Sequence, residues 1–221
     1  MVKKMLGKPF DLSDQYWARL NPRDQELYHR VRPQPKAAYT VDVHLGGMED
    51  FFSSQERDLP SLGGSFDLNP DFQRGNVWTD SQRIAYIEAV LRAAAPTRIL
   101  FNCPGWSNTD GTQGDIPAHT FQCVDGLQRL TAVRKFIAGE FTVFDGLSVG
   151  DLKGSPFDIN RYRFQFCVYE FANRSELLQF YIDLNAGGTI HSQSELDRVR
   201  QLRDSSLPDK TPGIGKRASR P

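Results

Sequence analysis

The chain has 221 residues, long for one ordinary domain and short for two large ones, so one α/β domain with appended segments is expected. With 39% hydrophobic and 24% charged residues and a mean hydropathy of -0.49, the composition is that of a water-soluble globular protein, not a disordered or membrane one. The formal net charge is zero, which argues against indiscriminate DNA binding by bulk charge and leaves local basic patches for phosphate.

Met1 to Leu6 opens with positive charge as a signal peptide does, but Gly7-Lys8-Pro9-Phe10-Asp11 follows before an apolar segment can form. No apolar run approaches the length of a bilayer span, so a cytoplasmic location with no membrane partner is expected. Cys103, Cys123 and Cys167 are odd in number and widely spaced, which points to apolar filling and away from disulfides or a zinc ribbon. His29, His44, His119 and His191 are equally scattered, and no structural metal is expected.

Residues 13–32 read as two short helices, because Asn21-Pro22 supplies an N-cap followed by proline at the first helical position. Pro33-Gln34-Pro35 ends them. The alternation of Tyr39, Val41, Val43 and Leu45 then predicts a half-buried strand closed by Gly46-Gly47, where the main domain starts. A short helix over Met48–Phe52 leads to a polar, glycine-rich stretch through Gly64 and an extended segment, Phe66–Pro70. Thr79 and Gln82 have capping-box spacing ahead of an Ile84, Ile87 and Leu91 stripe, so a helix is predicted there, ended by Pro96.

Arg98–Asn102 reads as a buried strand, residues 103–119 as a surface excursion rich in turn signals, and Phe121–Val124 as a strand again. A helix follows over Leu127–Ala138, stopped by Gly139. Phe141–Phe144 and Tyr162–Val168 are further predicted strands. Asn173 with Glu176 boxes a helix through Leu184, and Ser192 with Glu195 starts another whose inner face is Leu196, Val199 and Leu202 or Arg203. The expected organisation is a helical extension over 1–38, a main domain over 39–206 and a basic tail over 207–221 with too few apolar residues to order it.

Three segments carry candidate chemistry. In Val124-Asp125-Gly126-Leu127-Gln128-Arg129-Leu130-Thr131 a strand delivers the chain to a turn, and Gly126 allows close backbone approach. The next helix offers N–H groups to an anion, and Arg129 has the fork geometry for phosphate. Asp125 is open to several readings: magnesium ligand, partner of a water or ribose hydroxyl, or simple helix cap. In Asn69 to Trp78, Arg74 projects from a loop whose aromatics, Phe72 and Trp78, anchor the backbone; a plain surface arginine is the alternative. In Leu184-Asn185-Ala186-Gly187-Gly188-Thr189 the paired glycines are either a helix C-cap with a turn or a backbone cradle beside a ligand.

Taken together and in this order, Phe72-Gln73-Arg74 with Trp78, Val124 to Ala132, and Leu184 to Thr189 with Glu195 resemble the ParB-like N-terminal domain of GmrSD-type modification-dependent restriction proteins. The resemblance spans roughly Val41 to Leu202. That family carries an aspartate-glycine-glutamine-glutamine-arginine signature, matched by Asp125, Gly126, Gln128 and Arg129, with Leu127 in place of the first glutamine.

The resemblance implies a ParB/sulfiredoxin-like α/β fold, a mixed sheet with helices, and a nucleotide-binding cleft at the signature. Asp125, Gln128 and Arg129 are then the catalytic candidates. Gln73, Arg74, Gly126, Thr131, Asn185, Gly187 and Gly188 are the nucleotide-binding ones, and Asp125 the ligand of a magnesium ion. The expected cofactor is a nucleoside triphosphate with magnesium, its binding or weak hydrolysis linked to DNA sensing in restriction and defence or in a phage counterpart. Leu127 removes one polar group from the site and weighs against hydrolysis more than against binding. A separate nuclease or other protein partner is implied, because no H-N-H constellation fits before Pro221 and a stand-alone nuclease is not expected. The rival expectation is a non-catalytic interaction scaffold on the same fold.

Overall fold

The computed structural model describes residue 8 and residues 12–75, 77–107, 114–185 and 193–207. Two short helices come first. In α1 (Asp14–Arg19) the Ser13 hydroxyl accepts from the Tyr16 N–H at 3.2 Å, and in α2 (Pro22–Val31) Asn21 Oδ1 accepts from the Asp24 N–H at 2.9 Å. Each cap satisfies an N–H that the helix itself leaves orphaned. Neither helix contributes a buried residue, so both lie outside the core.

Five strands form the sheet: β1 (Tyr39–His44), β2 (Ser65–Asp67), β3 (Arg98–Asn102), β4 (Thr120–Asp125) and β5 (Arg163–Tyr169). Their order across it is β1-β5-β3-β4-β2. The β1/β5 and β3/β4 pairs are antiparallel, while β3/β5 and β4/β2 are parallel. The sheet is therefore mixed, and the protein is of the α/β class expected. Helices α3 (Met48–Asp58), α4 (Asp80–Leu91), α5 (Leu127–Ile137), α6 (Val149–Leu152), α7 (Arg174–Asn185) and α8 (Gln193–Ser205) complete the described α-helices. None of the described helices is long and apolar enough to cross a membrane.

Strand alternation divides the core in two. Phe101, Phe121, Cys123 and Phe166 face α3, α4 and α5 in one apolar cluster, where the Phe101 and Phe121 rings lie 4.7 Å apart. Leu100, Val124, Cys167 and Tyr169 join Phe72, α7 and α8 in the other. Each phenylalanine fully buried this way contributes roughly 1.5–3 kcal/mol. Asn102 is the one buried polar side chain among the described residues. Its Nδ2 donates to the Phe171 carbonyl at 3.0 Å and its Oδ1 accepts from the Phe171 N–H at 2.8 Å, which carries the β3/β5 pairing past the end of β5.

Two predicted elements differ. The helix at Met48 does not stop near Phe52 but continues to Asp58 and then into a 3-10 turn over Leu59–Leu62. Phe52 and Leu59 are both buried, so one apolar stripe holds the polar Ser53–Asp58 stretch helical on its solvent side. Phe141–Phe144 is not a strand. Phe144 and Asp145 take left-handed φ values of 46° and 61° in a turn closed by the Val143–Leu147 bridge. Among the described residues its only bridge is the local one to Leu147, and the Phe144 ring lies under the Arg92 guanidinium, 4.6 Å from the centroid.

Candidate functional site

The turn between β4 and α5 determines the site. Gly126 has φ 103°, a left-handed conformation that L side chains rarely adopt, and a Cβ there would meet Ile99 Cδ1 at 2.5 Å. The left-handed φ selects glycine, and a Cβ would in addition force the buried Ile99 side chain to shift. As the N-cap of α5 this glycine makes no side-chain capping bond to the first-turn amides, and Gly126, Leu127 and Gln128 all line the cleft beside it.

Arg129 lies one turn into α5 with its side chain only 14% exposed. Its Nη1 donates to the Arg98 carbonyl at 2.7 Å, and its Nη2 donates to Asp125 Oδ2 in a very close ion pair. Arg129 thus ties the helix to β3 and holds the Asp125 carboxylate, which is 41% exposed. Gln128 is equally engaged. Its amide oxygen accepts from the N–H groups of Val77 and Trp78, both at 3.1 Å, and its Nε2 donates to the Gly75 carbonyl.

The loop that Gln128 holds is the one carrying Arg74. Gln73 Nε2 donates to the carbonyls of Cys123 at 3.1 Å and Val124 at 2.7 Å, pinning the loop to the end of β4. From α8, Arg198 donates to the carbonyls of Asp71 at 2.9 Å and Phe72 at 3.0 Å. From α7, Arg174 grips both carboxylate oxygens of Asp71 at 2.6 Å. Phe72 is fully buried with its ring 5.3 Å from that of Tyr181. Four elements therefore fix the path of this loop.

Between the loop, α5 and α7 lies a cleft of about 380 Å³, within the range of small-ligand sites. Gln73, Arg74, Asp125, Gly126, Gln128, Arg129 and Asn185 all line it. Thr131 does not: its hydroxyl donates to the Leu127 carbonyl at 2.9 Å, along the helix and away from the turn. Gly187 and Gly188 lie outside the described residues.

Leu127 of the signature lines the cleft as expected, and further lining residues are ones that sequence reasoning missed or assigned elsewhere: Trp78, Tyr86, Pro96 and Tyr181. Trp78 stood in a recognised motif but read as a backbone anchor. Tyr86 and Tyr181 lie within apolar helices, and no sequence signal distinguishes them from core residues. Burial raises both phenols, Tyr181 to about 12, with Arg74 pulling it back down and Glu195 pushing it further up. The Tyr86 hydroxyl donates to the Pro96 carbonyl at 2.8 Å.

As a metal site the donor set is thin. Asp125 is the cleft's one carboxylate, and among the described residues no group of three His, Cys, Asp or Glu side chains converges. One carboxylate, its Oδ2 already paired with Arg129, is too few for a cation cage built by protein alone. A second cleft, of about 510 Å³, lies between the end of α2 and α7 and α8. It contains none of the signature residues; two of its arginines pair within it, Arg32 with Asp183 at 3.4 Å and Arg203 with Asp204 at 2.6 Å, while Lys8 pairs with Asp14 at 2.9 Å.

The loop and the signature turn both fall within residues 48–159, which match the family described as GmrSD restriction endonuclease, N-terminal domain. That is about half the chain, and the chain belongs to this family; its setting is restriction and defence. Neither the curated proteins nor the solved structures contain a match.

Proposed function

We propose that the cleft binds the phosphates of a nucleoside triphosphate and that this binding is coupled to DNA sensing by a cytoplasmic, ParB-like member of the family. One observation carries the reading: the Asp125–Gly126 turn leaves the start of α5 without a capping side chain in a cleft also lined by Arg74. Helix-terminal amides and an arginine are an anion-binding pair. Magnesium, when bound with the nucleotide, supplies charge neutralisation on the phosphates, and Asp125 is the residue to hold it.

On this reading the roles divide between the loop and the signature turn. Arg74 is the phosphate arginine, whereas Arg129 and Gln128 position Asp125 and the Arg74 loop. Calorimetry with a panel of nucleotides, with and without magnesium and DNA, tests this. Arg74→Ala should weaken nucleotide binding about ten- to a hundredfold and leave the fold intact. Asp125→Asn should weaken magnesium-dependent binding more than metal-free binding. Wild-type protein that binds no nucleotide under any of these conditions would rule the reading out.

A second reading, a non-catalytic interaction scaffold, is favoured by the same internal bonds of Gln128 and Arg129 and by Leu127. These leave few polar groups for hydrolysis. It predicts capture of a protein or nuclease partner by nucleotide-free protein.

A further inference from the structure

The two core layers meet at this cleft and give it unlike walls. From the side of α4 and α5 come Trp78, Tyr86, Pro96 and Leu127, all members or neighbours of the first apolar cluster apart from the proline. The Trp78 and Tyr86 rings lie 5.3 Å apart at 57°. Tyr86 is 8% exposed and its hydroxyl is already bonded to the Pro96 carbonyl, so this residue backs the Trp78 ring and adds no polar group to the cleft. Arg74, Asp125 and Asn185 line the cleft elsewhere, and Arg74 lies close enough to Tyr181 of α7 to act on its phenol. The cleft therefore joins an aromatic surface to a charged one.

Resting on the phosphate reading above, we infer that the Trp78–Tyr86 wall is a nucleobase seat, so that the site takes a whole nucleotide and discriminates against bare polyphosphate. A base is planar, apolar on its faces and able to stack on an aromatic ring whatever its identity, and the chain ahead of it reaches the charged side. Inorganic polyphosphate uses only the charged surface.

The test compares a nucleoside triphosphate, inorganic tripolyphosphate and the corresponding nucleoside on the full chain with magnesium, by calorimetry and tryptophan fluorescence. The nucleotide should bind about ten- to a hundredfold tighter than tripolyphosphate. Nucleotide should also quench tryptophan emission, and this quench should be lost in Trp78→Phe, which keeps a ring and most of the affinity. Trp78→Leu should collapse the nucleotide preference and spare tripolyphosphate binding. If Trp78→Leu does not fold, the wild-type ratio and the Trp78→Phe quench decide. Equal binding of nucleotide and tripolyphosphate overturns the base seat and leaves the phosphate site standing. An equal loss of both ligands in Trp78→Leu also overturns the base seat. Binding of neither by the wild type overturns both readings.

Discussion

Gly126 is held by two independent constraints, its φ of 103° and the Ile99 side chain, 2.5 Å from where a Cβ would lie. Gly126→Ala should therefore cost about 2 to 4 kcal/mol, from a left-handed alanine and an overpacked core together, measured by urea unfolding. Adding Ile99→Val, which removes the Cδ1 that clashes, should recover part of that loss. Two substitutions that simply add would mean that sterics at Ile99 play no part. Gln128 makes a different prediction. Replacing it with leucine removes the acceptor for the Val77 and Trp78 amides and should cost about 1 to 3 kcal/mol. Hydrogen exchange at those two amides should accelerate in the variant, and unchanged protection there would show that the loop is held by other means. The sequence makes the glycine legible, because a strand, a glycine and an amphipathic helix are all local signals. It does not show that Gln128 and Arg129 face inward, because their partners, the backbone groups of Gly75, Val77 and Trp78 and the Arg98 carbonyl, come from distant segments that only the fold brings near.

At the scale of elements the same division recurs. The α4 helix is readable because its capping box closes within three residues, Thr79 with Gln82, and both halves of it form. The strands β3, β4 and β5 are readable because their apolar runs are bounded by turn residues. Their spatial order is not, since β2 lies parallel to β4 and β3 parallel to β5 through connections that leave no local trace. Nor is the end of α3 readable, because Leu59 keeps the chain winding from a contact outside its own window. Asn102 divides the same way: its place at the end of a buried strand is readable, but its partner is not, because both atoms of its amide bond to Phe171, far along the chain. Asn102→Ala leaves one buried donor and one buried acceptor without partners and should destabilise the protein by roughly 2 to 4 kcal/mol. The Phe171 amide should lose its exchange protection with it; a loss below about 0.5 kcal/mol would mean that water replaces the amide there.

For the whole molecule, zero net charge gives no strong self-repulsion near neutral pH, so the pH response at the alkaline end falls to buried weak acids. Burial, with Glu170 adding to it, raises the Cys103 thiol to about 12, and burial raises the Cys123 thiol further still. The phenols of Tyr86 and Tyr181 shift the same way. In the unfolded chain a thiol ionises near 8.5 and a tyrosine near 10. Between those values and the folded ones the unfolded state releases protons that the native state keeps, so raising the pH favours unfolding. The stability from these groups is complete below about pH 8 and declines as the pH climbs, by about 1.4 kcal/mol per unit for each thiol from about pH 9. Urea unfolding at pH 7.5, 8.5, 9.5 and 10 should show a plateau followed by this decline, before lysines begin to lose charge. Cys103→Ala has its own cavity cost at every pH, but it should flatten the decline by one thiol's share. A stability that stays level to pH 10 in the wild type, or a Cys103→Ala curve parallel to it, would mean that the buried thiols ionise in the native state as readily as in the unfolded chain.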